Sequence, residues 1–224
     1  MFLKALEVFA AKLGPEHAWT GMVMNNLGSS YSYEEKYVEA ELFYRRAVSI
    51  RRKALGAQDP TVAESLDNLG AVLYHQGKLD ESERLRREAV EIYRKALGAT
   101  HPDYAIALNN LAVTCTEAEK YDEALRLLKE ARVVHAKAFG TAHPTVAADI
   151  NNMGFVYFRQ GKLEEAKDML EQGLAIQEKA FGPSHATVAQ TVENLAAVLR
   201  DLKKPVEAEA LEKRAAAIRA GQVR

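Results

Sequence analysis

The sequence predicts an all-α solenoid, an array of antiparallel helix pairs stacked one on the next. Three observations carry this. Glycine falls at Gly14, Gly56, Gly98, Gly140 and Gly182, and asparagine at Asn26, Asn68, Asn110, Asn152 and Asn194, each 42 residues after the last. A glutamate column (Glu39, Glu81, Glu123, Glu165, Glu207) and a small-residue column (Ala47, Ala89, Ala131, Gly173, Ala215) keep the same step. Within a unit, apolar residues recur at helical spacing, as at Tyr104, Ala105, Leu108, Leu111, Ala112 and Cys115, and no segment sustains the period-two alternation of a strand. Helix pairs at a fixed period cannot bury their apolar faces alone. Stacked, they share a continuous core and form a superhelix with a concave inner face.

The elements follow in order, and residues 1–224 read as one array. Residues 1–14 read as the second helix of a repeat whose first helix is absent, because Ala5 falls in the Ala47 column and Val8 in the Ile50 column. Lys4 and Glu7 make this stretch amphipathic rather than a signal peptide. It is expected to pack on the first complete repeat and to leave an apolar edge for self-association. Five repeats follow: 15–56, 57–98, 99–140, 141–182 and 183–224. His17, Asp59, His101, His143 and His185 occupy one column and read as N-caps. Pro102 suits a first helical turn, where its missing N–H is no loss. A polar stretch over 117–120 turns the chain in the third repeat, and sister turns carry Gly77 and Gly161. The second helix carries Tyr121, Ala124, Leu128, Ala131 and Val134, and stops near Gly140, where glycine tolerates a left-handed conformation. Gly28, Gly70 and Gly154 sit mid-helix at a cost of about 1 kcal/mol against alanine. Close approach of a partner helix explains them, with Ala40, Ser82, Ala124, Ala166 and Ala208 facing. The last segment, KPVEAEALEKRAAAIRAG, is Ala-rich and charged, as suits a terminal cap.

Composition excludes several function classes. Lys+Arg is 30 and Asp+Glu 31, so the net charge of −1 argues against a nucleic-acid binder. Cys115 is the one cysteine, which excludes an intrachain disulfide and a Cys-based zinc site. Its place in a core stripe makes it a small buried hydrophobe. No apolar run reaches the ~20 residues of a membrane helix, so a cytoplasmic protein with no membrane partner is expected. The column histidines lie on successive repeats, about 8–10 Å or more apart, too far to share one ion at bonds of ~2 Å. No Ser-His-Asp set, phosphate loop or metal spacing appears. The expectation is a non-enzyme without metal or cofactor.

The phrases Leu27-Gly28-x-x-Tyr31, HP-x-x-A-x-x-x-NNLA (residues 101–112) and a terminal K-A-(Leu/Phe)-G cover nearly the whole chain. In them the sequence resembles the tetratricopeptide repeat family, and within it the longer, 42-residue subclass typified by the kinesin light chain. Leu73, Cys115 and Leu199 depart from the tyrosine of Tyr31 and Tyr157, and Pro205 replaces the Tyr or Leu that opens the second helix elsewhere. The resemblance implies a right-handed superhelix whose first helices line a concave, protein-binding groove. The family's carboxylate clamp needs lysine or arginine in the Asn column or at −4 and −1 from it, and none is there. Acidic cargo peptides would find only Arg159, Arg200 and His75.

The asparagines then become the leading candidates. All eight fall in two adjacent columns: Asn25, Asn109 and Asn151, then Asn26, Asn68, Asn110, Asn152 and Asn194. Asparagine is a mediocre helix former, but its amide both donates and accepts, and so can grip the backbone of an extended peptide. The expected groove comprises Asn26, Asn68, Asn110, Asn152 and Asn194, with Asn109 and Asn151 beside them. Tyr74, Phe155, Phe158 and Arg159 supply side-chain choice. The competing account is that the amides bond to one another and stitch the repeats, and both can hold. Two basic sets, around Arg45, Arg46, Arg51, Arg52 and Lys53 and around Arg84, Arg86, Arg87, Arg94 and Lys95, read as a solvated convex face; the second is interleaved with acids as intrahelical ion pairs, and the first, with fewer acids, has contact with an acidic partner or RNA as its alternative. The expected function is capture of a protein or peptide segment in the groove. The rival is an architectural spacer or self-assembly module of a larger protein.

Overall fold

The computed structural model describes residues 11–221, which hold ten long helices and no strand. These are α1 (Ala18–Tyr33), α2 (Tyr37–Leu55), α3 (Pro60–His75), α4 (Leu79–Leu97), α5 (Pro102–Glu117), α6 (Tyr121–Phe139), α7 (Pro144–Arg159), α8 (Leu163–Phe181), α9 (Ala186–Asp201) and α10 (Pro205–Gly221). None of them is long and apolar enough to cross a membrane. The helix expected over residues 2–13, with its apolar edge, lies outside the described residues except for 11–13.

The period has a mechanical origin. First helices of 16 residues alternate with second helices of 19, and α10 has 17. The N-cap column works as expected. His17, His101, His143 and His185 each accept on Nδ1 from the backbone N–H two residues on, at 3.1–3.3 Å. Asp59 accepts both the N–H of Thr61 at 2.8 Å and its hydroxyl at 2.6 Å. Second helices end on glycine, as at Gly56 (φ 93°), whose N–H returns to the Arg52 carbonyl at 3.0 Å. Between the helices of a pair, one residue is left-handed: Glu35 (58°), Gly77 (74°), Glu119 (60°), Gly161 (73°) and Lys203 (62°). The next N–H then reaches back five residues, as from Lys78 to Leu73 at 2.9 Å, closing a Schellman turn.

The contacts divide the chain after Ala118 into two compact units. In the first, α1, α2, α3 and α4 each pack on the helix that follows, and in the second α6, α7, α8 and α9 do the same. The first core gathers Val62, Leu66, Leu69, Leu73 and Ile92, with Tyr44 closing one side. The second gathers Leu170, Leu195, Val198 and Leu199, continued by Val188, Val192 and Ile218. Burying a leucine this fully contributes about 1.5–3 kcal/mol. The mid-helix glycines mark close approach. A Cβ on Gly70 would lie 2.8 Å from Arg86 Cγ, and one on Gly154 would lie 2.9 Å from Leu170 Cγ and 3.2 Å from the Ala166 carbonyl. Ser82, opposite, donates its hydroxyl to the Gly70 carbonyl at 2.7 Å.

Candidate functional site

Buried polar seams join consecutive repeats, and they organise the site. Arg51, only 4% exposed, donates Nη1 to the Thr61 carbonyl (2.6 Å), Ser65 Oγ (2.8 Å) and Glu64 Oε2 (3.0 Å). Ser65 in turn donates to Asn25 Oδ1 at 3.1 Å. The second unit repeats this design with neutral groups. Thr191 donates to Gln177 Oε1 at 2.7 Å and accepts from Asn151 Nδ2 at 2.9 Å. His135 and Asp149 occupy equivalent places, with Nδ1 and Oδ2 2.7 Å apart and both side chains buried. The sequence carries a signal for these seams, a polar residue paired with another 14 positions on.

Arg51 and Arg86 correct the expectation of a solvated basic face. Arg86 is 6% exposed and donates Nη1 to the Asn110 carbonyl (2.7 Å) and to Thr114 Oγ1 (2.6 Å). Its Nε lies 3.6 Å from Asp67 Oδ1. The other bases of the first set are at the surface and ion-paired. Arg45 forks onto Glu81 and also meets Glu41, Arg52 meets Glu88, and Arg46 and Lys53 meet Glu16.

The structure places the expected groove residues as follows. Asn26, Asn109 and Asn152 are half-buried on α1, α5 and α7. Asn68 donates to Asn25 Oδ1 at 3.4 Å, and Asn110 donates to Asp67 Oδ2 at 2.6 Å, so both carry a bond between repeats. Asn194 is half-buried and accepts from Gln190 at 3.3 Å. Asn151 differs from the expectation. It is 8% exposed and spends its amide N–H on Thr191, inside the seam rather than on the floor. Tyr74 lies under the Arg86 guanidinium, 6.0 Å from the ring centroid. Phe155 is 38% exposed, with the Arg159 guanidinium 5.9 Å from its centroid.

Each unit opens a recess beside its first helices. In the first unit, α3 and α5 flank a cleft of about 400 Å³. Glu64, Asp67 and Asn68 line it from α3, Asp103 and Ile106 from α5, and Tyr93 from α4. Burial raises the Tyr93 hydroxyl well above the ordinary tyrosine range, and the charges of Asp67, Glu64 and Asp103 push it further, with Arg51 opposing. Burial also raises the Asp67 carboxyl, against the pull of Arg86 and the Asn110 amide. Sequence reasoning missed the part of Tyr93, which sits in the Arg51 column of a second helix. In the second unit, Phe155, Phe158, Leu170, Asn194, Ala197 and Val198 surround an apolar pocket of about 30 Å³, room for roughly one methyl-sized group.

A tetratricopeptide repeat model matches residues 1–53, 61–132 and 145–220. The chain belongs to the tetratricopeptide repeat family. Among solved structures it is similar to BtubC (BKLC) from P. vanneervenii, at 24% identity and a TM-score of 0.78 over 99% of this chain and 87% of that one. It is also similar to a kinesin-light-chain-like protein of Podosopora anserina with nearly identical TPR-like repeats, at 26% identity and a TM-score of 0.71 over 90% and 95%. A third is the Rap conjugation gene regulator of the plasmid pLS20, solved in complex with the Phr* peptide, at 17% identity and a TM-score of 0.73. The match to that regulator covers 87% of this chain and 52% of that one. No curated protein matches the chain.

Proposed function

We propose that this tetratricopeptide repeat protein is a non-catalytic scaffold that holds an extended segment of another protein against its first helices. One observation carries the reading. In each unit the recess among the first helices is walled by a column asparagine, Asn68 in one and Asn194 in the other. A half-buried amide beside a hollow suits a ligand that offers both a backbone to hydrogen-bond and a side chain to insert. The Rap regulator, similar in fold, was solved with a peptide, which supports a peptide as the ligand class.

The seam bonds of Asn68 and Asn110 favour a second reading for those two residues, as stitches between repeats in an architectural array. Asn194 separates the readings, because it bonds to Gln190, one turn away on its own helix, and not to another repeat among the described residues. The test is selection from a randomised library of extended decapeptides, followed by affinity measurement on folded variants. Binding that falls about tenfold in Asn194→Ala at an unchanged melting temperature supports capture. Failure to select any peptide, or affinities indifferent to both Asn194→Ala and Phe158→Ala, overturns it.

A further inference from the structure

We propose that the cleft between α3 and α5 is a subsite for an arginine side chain of the bound segment. This rests on the peptide-scaffold reading and names its ligand chemistry at one place. Glu64 and Asp103 face each other across the cleft from α3 and α5, with side chains 48% and 53% exposed. Asp67 lines it more deeply, 17% exposed. The cations that answer these acids, Arg51 and Arg86, are buried in the seams at 4% and 6% exposure, and His101 lies 3.8 Å from Asp103 on its outer side. Glu64, which also accepts from the Asn25 amide at 3.3 Å, and Asp103 thus stay about half exposed while the guanidinium groups are buried. An incoming cation meets the acids first.

The rest of the lining selects among cations. Tyr93 offers an aromatic ring on the same lining as the three carboxylates. Ile106, 45% exposed, and Pro60 supply an apolar wall for an aliphatic stem. Asn68 offers its amide at the rim. A planar guanidinium can stack on the ring and fork onto carboxylates, and it sheds water more readily than an ammonium group. About 400 Å³ accommodates such a side chain with water around it. The same lining disfavours acidic peptides, because a carboxylate would meet the half-exposed Glu64 and Asp103 while the arginines that pair with the acids are buried.

The experiment uses the full chain and libraries of acetylated, amidated decapeptides. A central position is fixed as Arg, Lys, citrulline or Glu, and the remaining positions are randomised. Selected peptides are then measured by fluorescence polarisation. Arg peptides should bind at least about tenfold tighter than their citrulline counterparts, a difference of about 1.4 kcal/mol, and tighter than the Lys series. Asp103→Asn, outside the Arg51 network, should remove most of that preference. Adding Glu64→Gln, which keeps an acceptor for Arg51, should remove the rest, with citrulline peptides unaffected and both variants folded by circular dichroism. Arg and citrulline peptides of equal affinity, or an Arg preference that survives both substitutions, would overturn the subsite. In those cases binding that still depends on Asn194 and Phe158 leaves the scaffold standing. Failure of all four series to bind overturns both readings.

Discussion

Arg86 and Asp67 form a charged pair in a place where the third and fourth repeats are neutral, and this permits a quantitative test. The columns that hold Asp67 and Arg86 hold Asn109 and Leu128 in the third repeat and Asn151 and Leu170 in the fourth. Leu128 and Leu170 are each 1% exposed, so leucine is known to fit this position. Arg86→Leu deletes two short bonds, to the Asn110 carbonyl and Thr114 Oγ1, and strips Asp67 of its cation at 3.6 Å. Removing one partner of a buried pair costs about 3–5 kcal/mol. Asp67 retains some solvent and the Asn110 amide at 2.6 Å, and the leucine regains some burial, so about 2–4 kcal/mol is expected. The double variant Asp67→Asn/Arg86→Leu reproduces the neutral pairing of the third and fourth repeats and should fall within about 1 kcal/mol of the parent. Asp67→Asn alone completes the cycle, and a double variant less damaged than the two single costs added together gives the coupling between the sites.

Urea unfolding of the parent, both single variants and the double variant measures this, and pH supplies a second axis. The folded Asp67 carboxyl sits above its ordinary value through burial, offset by Arg86 and Asn110. A carboxyl raised in the folded state binds its proton more tightly there than in the unfolded chain. Its stabilising contribution is present below the unfolded value and is lost as pH rises through the folded one. Without Arg86 the carboxyl rises further. The deficit of Arg86→Leu relative to the double variant should then shrink as pH falls from 7 towards 4. A double variant as unstable as Arg86→Leu at every pH would refute the reasoning, because the cost would then lie in the arginine's own bonds and not in a stranded carboxylate.

Three further outcomes follow from other parts of the fold. Leu111, 2% exposed on α5, should cost about 2–5 kcal/mol as Leu111→Ala through lost burial and a cavity; a denaturation midpoint equal to the parent's would remove this face from the core. At the left-handed turn position, Glu35→Gly and Lys203→Gly should raise stability by about 0.5–1 kcal/mol, because relief of roughly 1–2 kcal/mol of backbone strain exceeds the added entropy of glycine; Gly77→Ala should lower it, and calorimetry on the three variants reads both signs. Asn110→Ala takes from Asp67 its hydrogen-bond donor at 2.6 Å and should cost about 1–2 kcal/mol, whereas Asn194→Ala should leave the melting temperature unchanged.

The sequence makes the helices legible because every boundary has a local cause. The capping column, the terminal glycines and the turn residues repeat in phase, and each satisfies backbone groups that no distant contact needs to supply. The core is legible for the same reason, since the apolar stripe of a first helix needs only helical periodicity to define it. The charged seams are less so. Arg51 and Arg86 stand among exposed bases, and composition treats them alike. What separates them is a partner elsewhere on the chain, Ser65 and Glu64 for one and Asp67 and Thr114 for the other. Tyr93 is hidden likewise, because its part in the cleft depends on α3 and α5 bringing three carboxylates around a residue of α4.

The asparagine pairs show where periodicity itself runs out. Adjacent residues on an α-helix point about 100° apart, so two neighbouring amides cannot share one environment. The apolar stripe lies at −2, +1, +2 and +5 from the column asparagine, which places that asparagine nearly opposite the core. The residue before it is turned back towards the core's flank, where the next repeat stacks. Asn25 and Asn151 are accordingly buried at 2% and 8% exposure and bonded into seams, while Asn26 and Asn152 stay half-buried. The same rotation accounts for Asp67, seam-bound through Arg86 and Asn110 yet still on the edge of the cleft beside Asn68. The Asn25-Asn26 and Asn151-Asn152 pairs thus each join one seam-bound amide to one half-buried amide, whereas in Asn109-Asn110 the second amide bonds across repeats, to Asp67, and substitutions that treat the members of a pair as equivalent would mix loss of fold with loss of binding.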